Sequence, residues 1–220
     1  MEKEVLIFGH KNPDTDSITS SMVMENLERE LGNKNAKAVR TGDVNKETQF
    51  VLNYLDMEAP ELIGNINDNQ EVILVDHNDA AQSADNIEHA KVLKVIDHHA
   101  VNFTISSPLY YRAEPVGCTA TVLYELYNEK RIEITNKIAT LMLSAIASDT
   151  LVLKSPTTTE VDKNAVRMLE KIAGLDLTKY GVDMLKAGTD ISDFTPEQVI
   201  NIDSKLFEQS NKKFRIAQVN

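Results

Sequence analysis

Aspartate and histidine recur together at three places in the chain: His10 with Asp14 and Asp16, Asp76-His77-Asn78, and Asp97-His98-His99. A further aspartate, Asp149, follows a segment that is apolar almost throughout. Taken singly, most of these residues have plain explanations. Asp14 and Asp16 lie in a proline-containing loop, where aspartate is an ordinary turn former. A lone His10 could be a surface histidine, and a lone Asp76 could cap the helix that follows. Two adjacent histidines after an apolar run have no such packing role. A carboxylate at the end of an apolar helix meets the negative end of the helix dipole, and a buried unpaired charge costs several kcal/mol. Brought to one rim, Asp14, Asp16, Asp76, Asp97 and Asp149 would repel one another strongly without cations. Carboxylates and imidazoles are the ligands that suit Mn²⁺, Mg²⁺, Fe²⁺, Co²⁺ or Zn²⁺. Four carboxylates and two histidines exceed what one ion usually takes from a protein. Two ions ~3.5–4 Å apart, sharing a carboxylate and a water, is an arrangement used for phosphoryl chemistry. The residues alone therefore imply a two-metal hydrolase.

Those groups stand at the ends of apolar runs. Val5-Leu-Ile-Phe8 reads as a buried strand and leads into Gly9-His10; Val72-Ile-Leu-Val75 leads into Asp76-His77; Val92-Leu-Lys-Val-Ile96 leads into Asp97-His98-His99. After the first run, Ile18, Met22, Val23, Leu27 and Leu31 recur at helical spacing up to Gly32-Asn33, a stop signal. A short strand is expected at 38–40, and a helix at 46–55 with Phe50, Val51, Tyr54 and Leu55 on one side. The alanine-rich polar segment between the second and third runs could be another helix. Strands alternating with helices imply crossover connections and parallel pairing. Ligands of such sheets bind beyond the carboxyl ends of the strands. The expected fold class is α/β, a mostly parallel sheet flanked by helices.

The second half reads as more helical. Helices are expected at 117–127, at 136–148 running into Asp149, and from a Thr159 cap to Ala173 with Gly174 as stop. Thr195-Pro196-Glu197-Gln198 is a helix start, and residues 214–219 alternate like a strand. Residues 187–193 look like a linker. The expected organisation is a metal-binding domain at 1–188, a linker at 189–194, and the start of a second domain at 195–220.

Composition narrows the partners. With 23 Lys and Arg against 34 Asp and Glu, the net charge is −11, which argues against nucleic acid and against an anionic membrane surface. One cysteine, Cys118, excludes an internal disulfide framework and reads as a small buried thiol. No signal peptide or membrane span is evident, so a cytoplasmic protein is expected.

In order and spacing, His10-x-x-x-Asp14-x-Asp16, then Val75-Asp76-His77-Asn78, then Asp97-His98-His99 resembles the DHH phosphoesterase superfamily. Within it, the chain looks most like the family II, manganese-dependent inorganic pyrophosphatases. The stretches that carry this resemblance are 8–16, 112–121, 143–150, 154–157 and 184–188. The resemblance assigns His10 and Asp14 to one metal, Asp16, His98 and Asp149 to the other, and Asp76 to both. It implies two divalent cations, manganese foremost with cobalt or magnesium as alternatives, and further magnesium on the substrate. His99 is similar to the histidine that contacts a substrate phosphate, and Lys205 to a lysine reaching substrate from the second domain. The implied reaction is attack by a metal-bridging hydroxide on pyrophosphate, giving two phosphates, with Asp76, His98 and His99 at the reacting centre. Asp97 would orient its neighbours, and His77 would either support the site or simply pack. A homodimer formed through the first domain is implied as well.

Two features depart from the family pattern. After Asp97-His98-His99 the chain reads Ala100-Val101-Asn102, one residue shorter than the family pattern and without its basic side chain. A Ser-Arg-Lys motif, which clamps substrate in the family, occurs nowhere in the sequence. The expectation is that this polypeptide binds metals but hydrolyses pyrophosphate feebly or not at all. Two other readings stay open: a DHH phosphodiesterase of short or cyclic oligonucleotides, and a non-catalytic metal-binding dimerisation module.

Overall fold

The computed structural model describes residues 4–192, 194–197, 204–209 and 212–217. Six parallel strands form one sheet: β1 (Val5–Phe8), β2 (Ala36–Arg40), β3 (Glu61–Leu62), β4 (Glu71–Val75), β5 (Lys91–Asp97) and β6 (Tyr110–Ala113). Their spatial order is β3-β2-β1-β4-β5-β6. The chain builds outward from β1 in one direction, then returns to build outward in the other. The crevice between β1 and β4 is therefore a topological switch point, where open parallel sheets bind ligands.

Side chains alternate across each strand, giving the sheet two different faces. Val5, Ile7, Ile73, Val75 and Ile96 join one core with α1 (Thr15–Glu30), α2 (Lys46–Leu55), α3 (Thr119–Lys130), α4 (Asn136–Asp149), α5 (Glu160–Ala173) and α6 (Leu177–Gly188). Phe8, Val72, Leu74 and Val95 form a smaller core on the other face. Irregular segments cover it through Ile66, Ala84, Ile87 and Phe103. The helix α4 is the central element, with every residue from Ile138 to Ala147 buried.

Several expectations are corrected here. The segment between β4 and β5 is not a helix but two single 3₁₀ turns, Ala80–Gln82 and Ile87–His89. Its polar residues cap and turn rather than forming an apolar stripe. On α2 the buried face is Thr48, Val51, Leu52 and Leu55, whereas Tyr54 is 52% exposed. There Tyr54 packs edge-on against Tyr180 of α6, ring centroids 5.1 Å apart. The helix α6 was not anticipated and carries the chain to Gly188, so the linker-like residues begin later than 187. Strands β3 and β6 were also missed, being short and exposed or half-buried. The Thr159 cap and Gly174 stop stand as expected, Gly174 being left-handed at φ 67°. A helix starts at Pro196, and its continuation at 198–203 lies outside the described residues. Strands β7 (Ser204–Gln209) and β8 (Lys212–Ala217) pair as an antiparallel hairpin. The latter answers the expected strand at 214–219, of which 218–219 lie outside the described residues.

One buried carboxylate fixes how α3 enters the core. Asp162, fully buried on α5, accepts hydrogen bonds from Gly117 N, Thr121 Oγ1, Thr159 N and Thr159 Oγ1 at 2.6 to 2.9 Å. A Cβ on Gly117 would lie 2.9 Å from Asp162 Oδ2 and 2.8 Å from Thr150 Cγ2, so only glycine allows this approach. Asp162→Ala is expected to cost about 2–4 kcal/mol, from buried donors left unpaired and a lost capping box. Urea unfolding of the parent and variant chains measures it.

Candidate metal centre

The carboxyl ends of β1, β4 and β5 deliver the three Asp/His clusters to the switch point. After β1 the chain turns through His10 to Asp14, which caps α1 by accepting from Ser17 N at 2.9 Å. That cap places Asp16 in the first helical turn, pointing inward and fully buried. Asp76 immediately follows β4 in a left-handed conformation (φ 58°), which aspartate tolerates better than most residues. His98 and His99 follow β5, and Asp149 ends α4.

The side chains converge in overlapping groups. His10, Asp14 and Asp76 offer ligand atoms within 4.8 Å of one another, and so do Asp16, Asp76, His98 and Asp149. Asp76, with His98 and His99, makes a third such set. Asp76 is common to all three. His10 Nε2 lies 3.4 Å from both Asp14 Oδ2 and Asp76 Oδ2. His98 Nε2 lies 3.5 Å from Asp76 Oδ1 and 3.7 Å from Asp149 Oδ2.

Among the described residues, imidazoles supply the positive charge that faces these carboxylates. Burial raises the Asp16 carboxyl, with Asp76 adding to the effect. Burial likewise drives Asp149 far up, followed by repulsion from Asp16 and Asp76. Burial would also raise Asp76, but His10 and His98 outweigh it and hold that carboxyl below its ordinary range. The histidines answer in kind. Burial would lower both, but Asp14 and Asp76 lift His10 to about 10, and Asp76 and Asp16 lift His98 to about 9. The buried Asp76 Oδ2 has no hydrogen-bond partner. An orphaned carboxylate oxygen, facing imidazole nitrogens and two further carboxylates, fits divalent cations held by oxygen and nitrogen.

The surrounding residues orient each group. His98 Nδ1 donates to Val116 O at 3.1 Å, which leaves Nε2 as the free ligand atom. Thr119 N donates to Asp16 Oδ2 at 2.7 Å, and Thr119 Oγ1 donates to Asp76 Oδ1 at 3.1 Å. Ser20 Oγ donates to Asp16 Oδ1. Asp97 stays outside the ligand groups. Its Oδ1 accepts from His98 N, His99 N and His99 Nδ1, and its Oδ2 from Asn78 Nδ2. Asn78 also ties down the short loop after the histidines, donating to Ala100 O and accepting from Asn102 N. His77 is held by the residues around it. Its ring is buried, Nδ1 contacts Val75 O at 2.9 Å and Nε2 contacts Ser83 Oγ at 3.0 Å, so neither nitrogen is free for a metal. Cys118 is a buried thiol, as expected. Lys205 lies in β7, in the hairpin. Val116, Thr119, Ser20 and Asn78 were not singled out from the sequence; only their place in the motif stretches or beside ligands hinted at them.

The comparisons fit this geometry. The DHH family, N-terminal domain, matches residues 4–146, and the DHHA2 domain matches 182–220. A "Probable manganese-dependent inorganic pyrophosphatase" of Staphylococcus carnosus (strain TM300) is 54% identical over 215 residues, covering 97% of this chain and 70% of the relative. One of the same name from Brevibacillus brevis is 55% identical over 222 residues, covering 100% of this chain and 71% of the relative. A crystal structure of a Methanococcus jannaschii protein assigned to the family II inorganic pyrophosphatases superposes with a TM-score of 0.81 at 42% identity, over 97% of this chain and 71% of that one. An exopolyphosphatase-related protein of Bacteroides fragilis shares the fold, with a TM-score of 0.64 at 14% identity over 93% of this chain and 62% of that one. The chain belongs to the DHH family and, within it, to the manganese-dependent inorganic pyrophosphatases. Among the described residues, no helix is long and apolar enough to cross a membrane.

Protons and cations compete for the same atoms. Because the His10 and His98 pKa values are raised in the metal-free fold, their stabilising contribution is complete below about 6.5 and is lost as pH rises through 9 to 10. Cation binding must displace those protons. Mn²⁺ affinity is therefore expected to rise with pH from 6.5 toward 9, with proton release seen by calorimetry in buffers of different ionisation enthalpy. Binding that is independent of pH and releases no protons would contradict this assignment.

Proposed function

We propose that this chain carries the metal centre of an inorganic pyrophosphatase and that its reaction is hydrolysis of pyrophosphate to two phosphates. The observation that carries the reading is Asp76, a buried carboxylate shared by two ligand groups of opposite flank, in a chain whose relatives are named for this activity. His10, Asp14 and Asp76 would hold one manganese ion, and Asp16, Asp76, His98 and Asp149 the other. Bound there, two divalent cations would neutralise phosphate oxygens and make an intervening water acidic enough to attack phosphorus near neutral pH.

The chain's own residues complete the site. His99 is half-exposed, and the hydrogen bond from its Nδ1 to Asp97 raises its pKa. That bond leaves Nε2 free to give a substrate phosphate a hydrogen bond or a proton. Asp97 holds the ring in that pose. Lys205 would bring a further cation to the phosphates, where fixed charge stabilises the developing negative charge. We assign 1–188 to the metal-binding part, 189–194 to the connection and 195–220 to a substrate-binding part. The end of α6 at Gly188 supports this division, and the DHHA2 match over 182–220 supports a second unit in the C-terminal part. Pairing of two copies through the N-terminal part belongs to the same reading, supported by β6 as an open sheet edge.

Phosphate release tests the proposal. With Mn²⁺ the chain, which carries no Ser-Arg-Lys clamp, should release phosphate from pyrophosphate slowly at most and leave a dinucleotide intact. Asp149→Asn should slow that release ~100-fold or more, about 2.7 kcal/mol of barrier. Cleavage of the dinucleotide with pyrophosphate untouched would instead favour the phosphodiesterase reading.

A further inference from the structure

A carboxylate outside the ligand groups joins the two helix ends that carry Asp14, Asp16 and Asp149. Glu47, in the first turn of α2, accepts from Thr15 Oγ1 at 2.6 Å and from Ser148 Oγ at 2.6 Å, both at the same atom, Oε1. Thr15 is fully buried between Asp14 and Asp16, and Ser148 immediately precedes Asp149. Thr15 Oγ1 also lies 3.1 Å from Thr48 Oγ1, one residue beyond Glu47. One oxygen atom thus spans from the start of α1 to the end of α4, and Glu47 itself is in none of the ligand groups. The end of α6 closes on the same side chain. A Cβ on Gly188 would lie 3.0 Å from Glu47 Cβ and 3.2 Å from its Oε2. Next to it, Lys46 Nζ donates to Asp190 O at 2.7 Å and sits 4.8 Å from the centre of the Phe194 ring.

We propose that Glu47 is a positioning residue for the metal pair, setting the distance between the Asp14/Asp16 segment and Asp149. This rests on the metal-centre reading above. Asp14, Asp16 and Asp149 repel one another, so the two helix ends that carry them need a tie that is not itself a ligand. A single acceptor shared by a hydroxyl from each end provides it. A ligand's supporting hydrogen bonds fix its orientation, and their removal typically costs 10- to 100-fold in metal affinity.

The test uses the 220-residue chain, titrated with Mn²⁺ and followed by electron paramagnetic resonance. That signal reports both free Mn²⁺ and magnetic coupling between bound ions. Glu47→Ala should weaken binding by about 10- to 100-fold and alter the coupled spectrum, with little change in unfolding temperature of the metal-free chain. Glu47→Gln keeps an amide oxygen that accepts from the same two hydroxyls, and should stay within ~3-fold of the parent. Parent-like affinity and spectrum in Glu47→Ala would overturn the proposal, as would a Glu47→Gln chain as weak as the alanine variant. If Glu47→Ala does not fold, Thr15→Val and Ser148→Ala each remove one donor. Weaker binding in either then supports the role, and parent affinity in both overturns it. A parent chain that binds no Mn²⁺ refutes the metal centre itself, an outcome distinct from all of these.

Discussion

Four carboxylates gathered in a water-poor crevice are the constraint around which this structure is arranged. Asp16 and Asp76 are buried, Asp149 is nearly so, and Asp14 closes the rim. Among the described residues, the cationic groups facing these carboxylates are the imidazoles of His10, His98 and His99, at 3.4 to 3.7 Å. Burial and mutual repulsion raise the Asp16 and Asp149 carboxyls, and the carboxylates raise His10 and His98 against the effect of burial. Divalent cations resolve this conflict more completely, since each neutralises several carboxylates at once. The acidity of the chain is, at this one place, a means of holding the positive charge that a small phosphate substrate requires.

Strand order explains where the conflict is located. Consecutive strands on either side of the switch point diverge, and the loops after β1 and β4 face each other across the gap. The helix core then brings Asp149 to the same place from a distant part of the chain, at the end of a helix packed between α1 and α5. Asp16, Asp76 and His98 are each held from another element. Thr119 at the start of α3 holds Asp16 and Asp76, the Val116 carbonyl sets the His98 tautomer, and Asp162 on α5 fixes the segment that bears both. Precision at the crevice is thus distributed over α1, α3, α4 and α5.

Much of this was legible in the sequence because it follows from local rules. Apolar runs ending in Asp and His marked β1, β4 and β5, and capping chemistry marked the limits of α5. Charge repulsion among the aspartates pointed to cations before any geometry was known, and the resemblance to a family supplied the division of ligands between two ions. What was hidden depends on long-range packing. Strand order is invisible to periodicity, so the location of the switch point could not be read. Strands β3 and β6 are too short to show a pattern, and α6 was masked by the glycine and polar residues at its end. The supporting residues Thr119, Asn78 and Asp162 are ordinary polar residues until a partner from another element arrives. The partners of His77, Val75 O and Ser83 Oγ, could not be read from the motif either.

The central claim is that Asp76 is shared by two metal ions, one toward His10 and Asp14, the other toward Asp16, His98 and Asp149. Anomalous diffraction at the manganese edge, from crystals of the chain grown with Mn²⁺, tests it most directly. Two anomalous peaks flanking the Asp76 carboxylate, each bordered by its own set of residues, are the predicted result. A single peak, or peaks remote from Asp76, would contradict it.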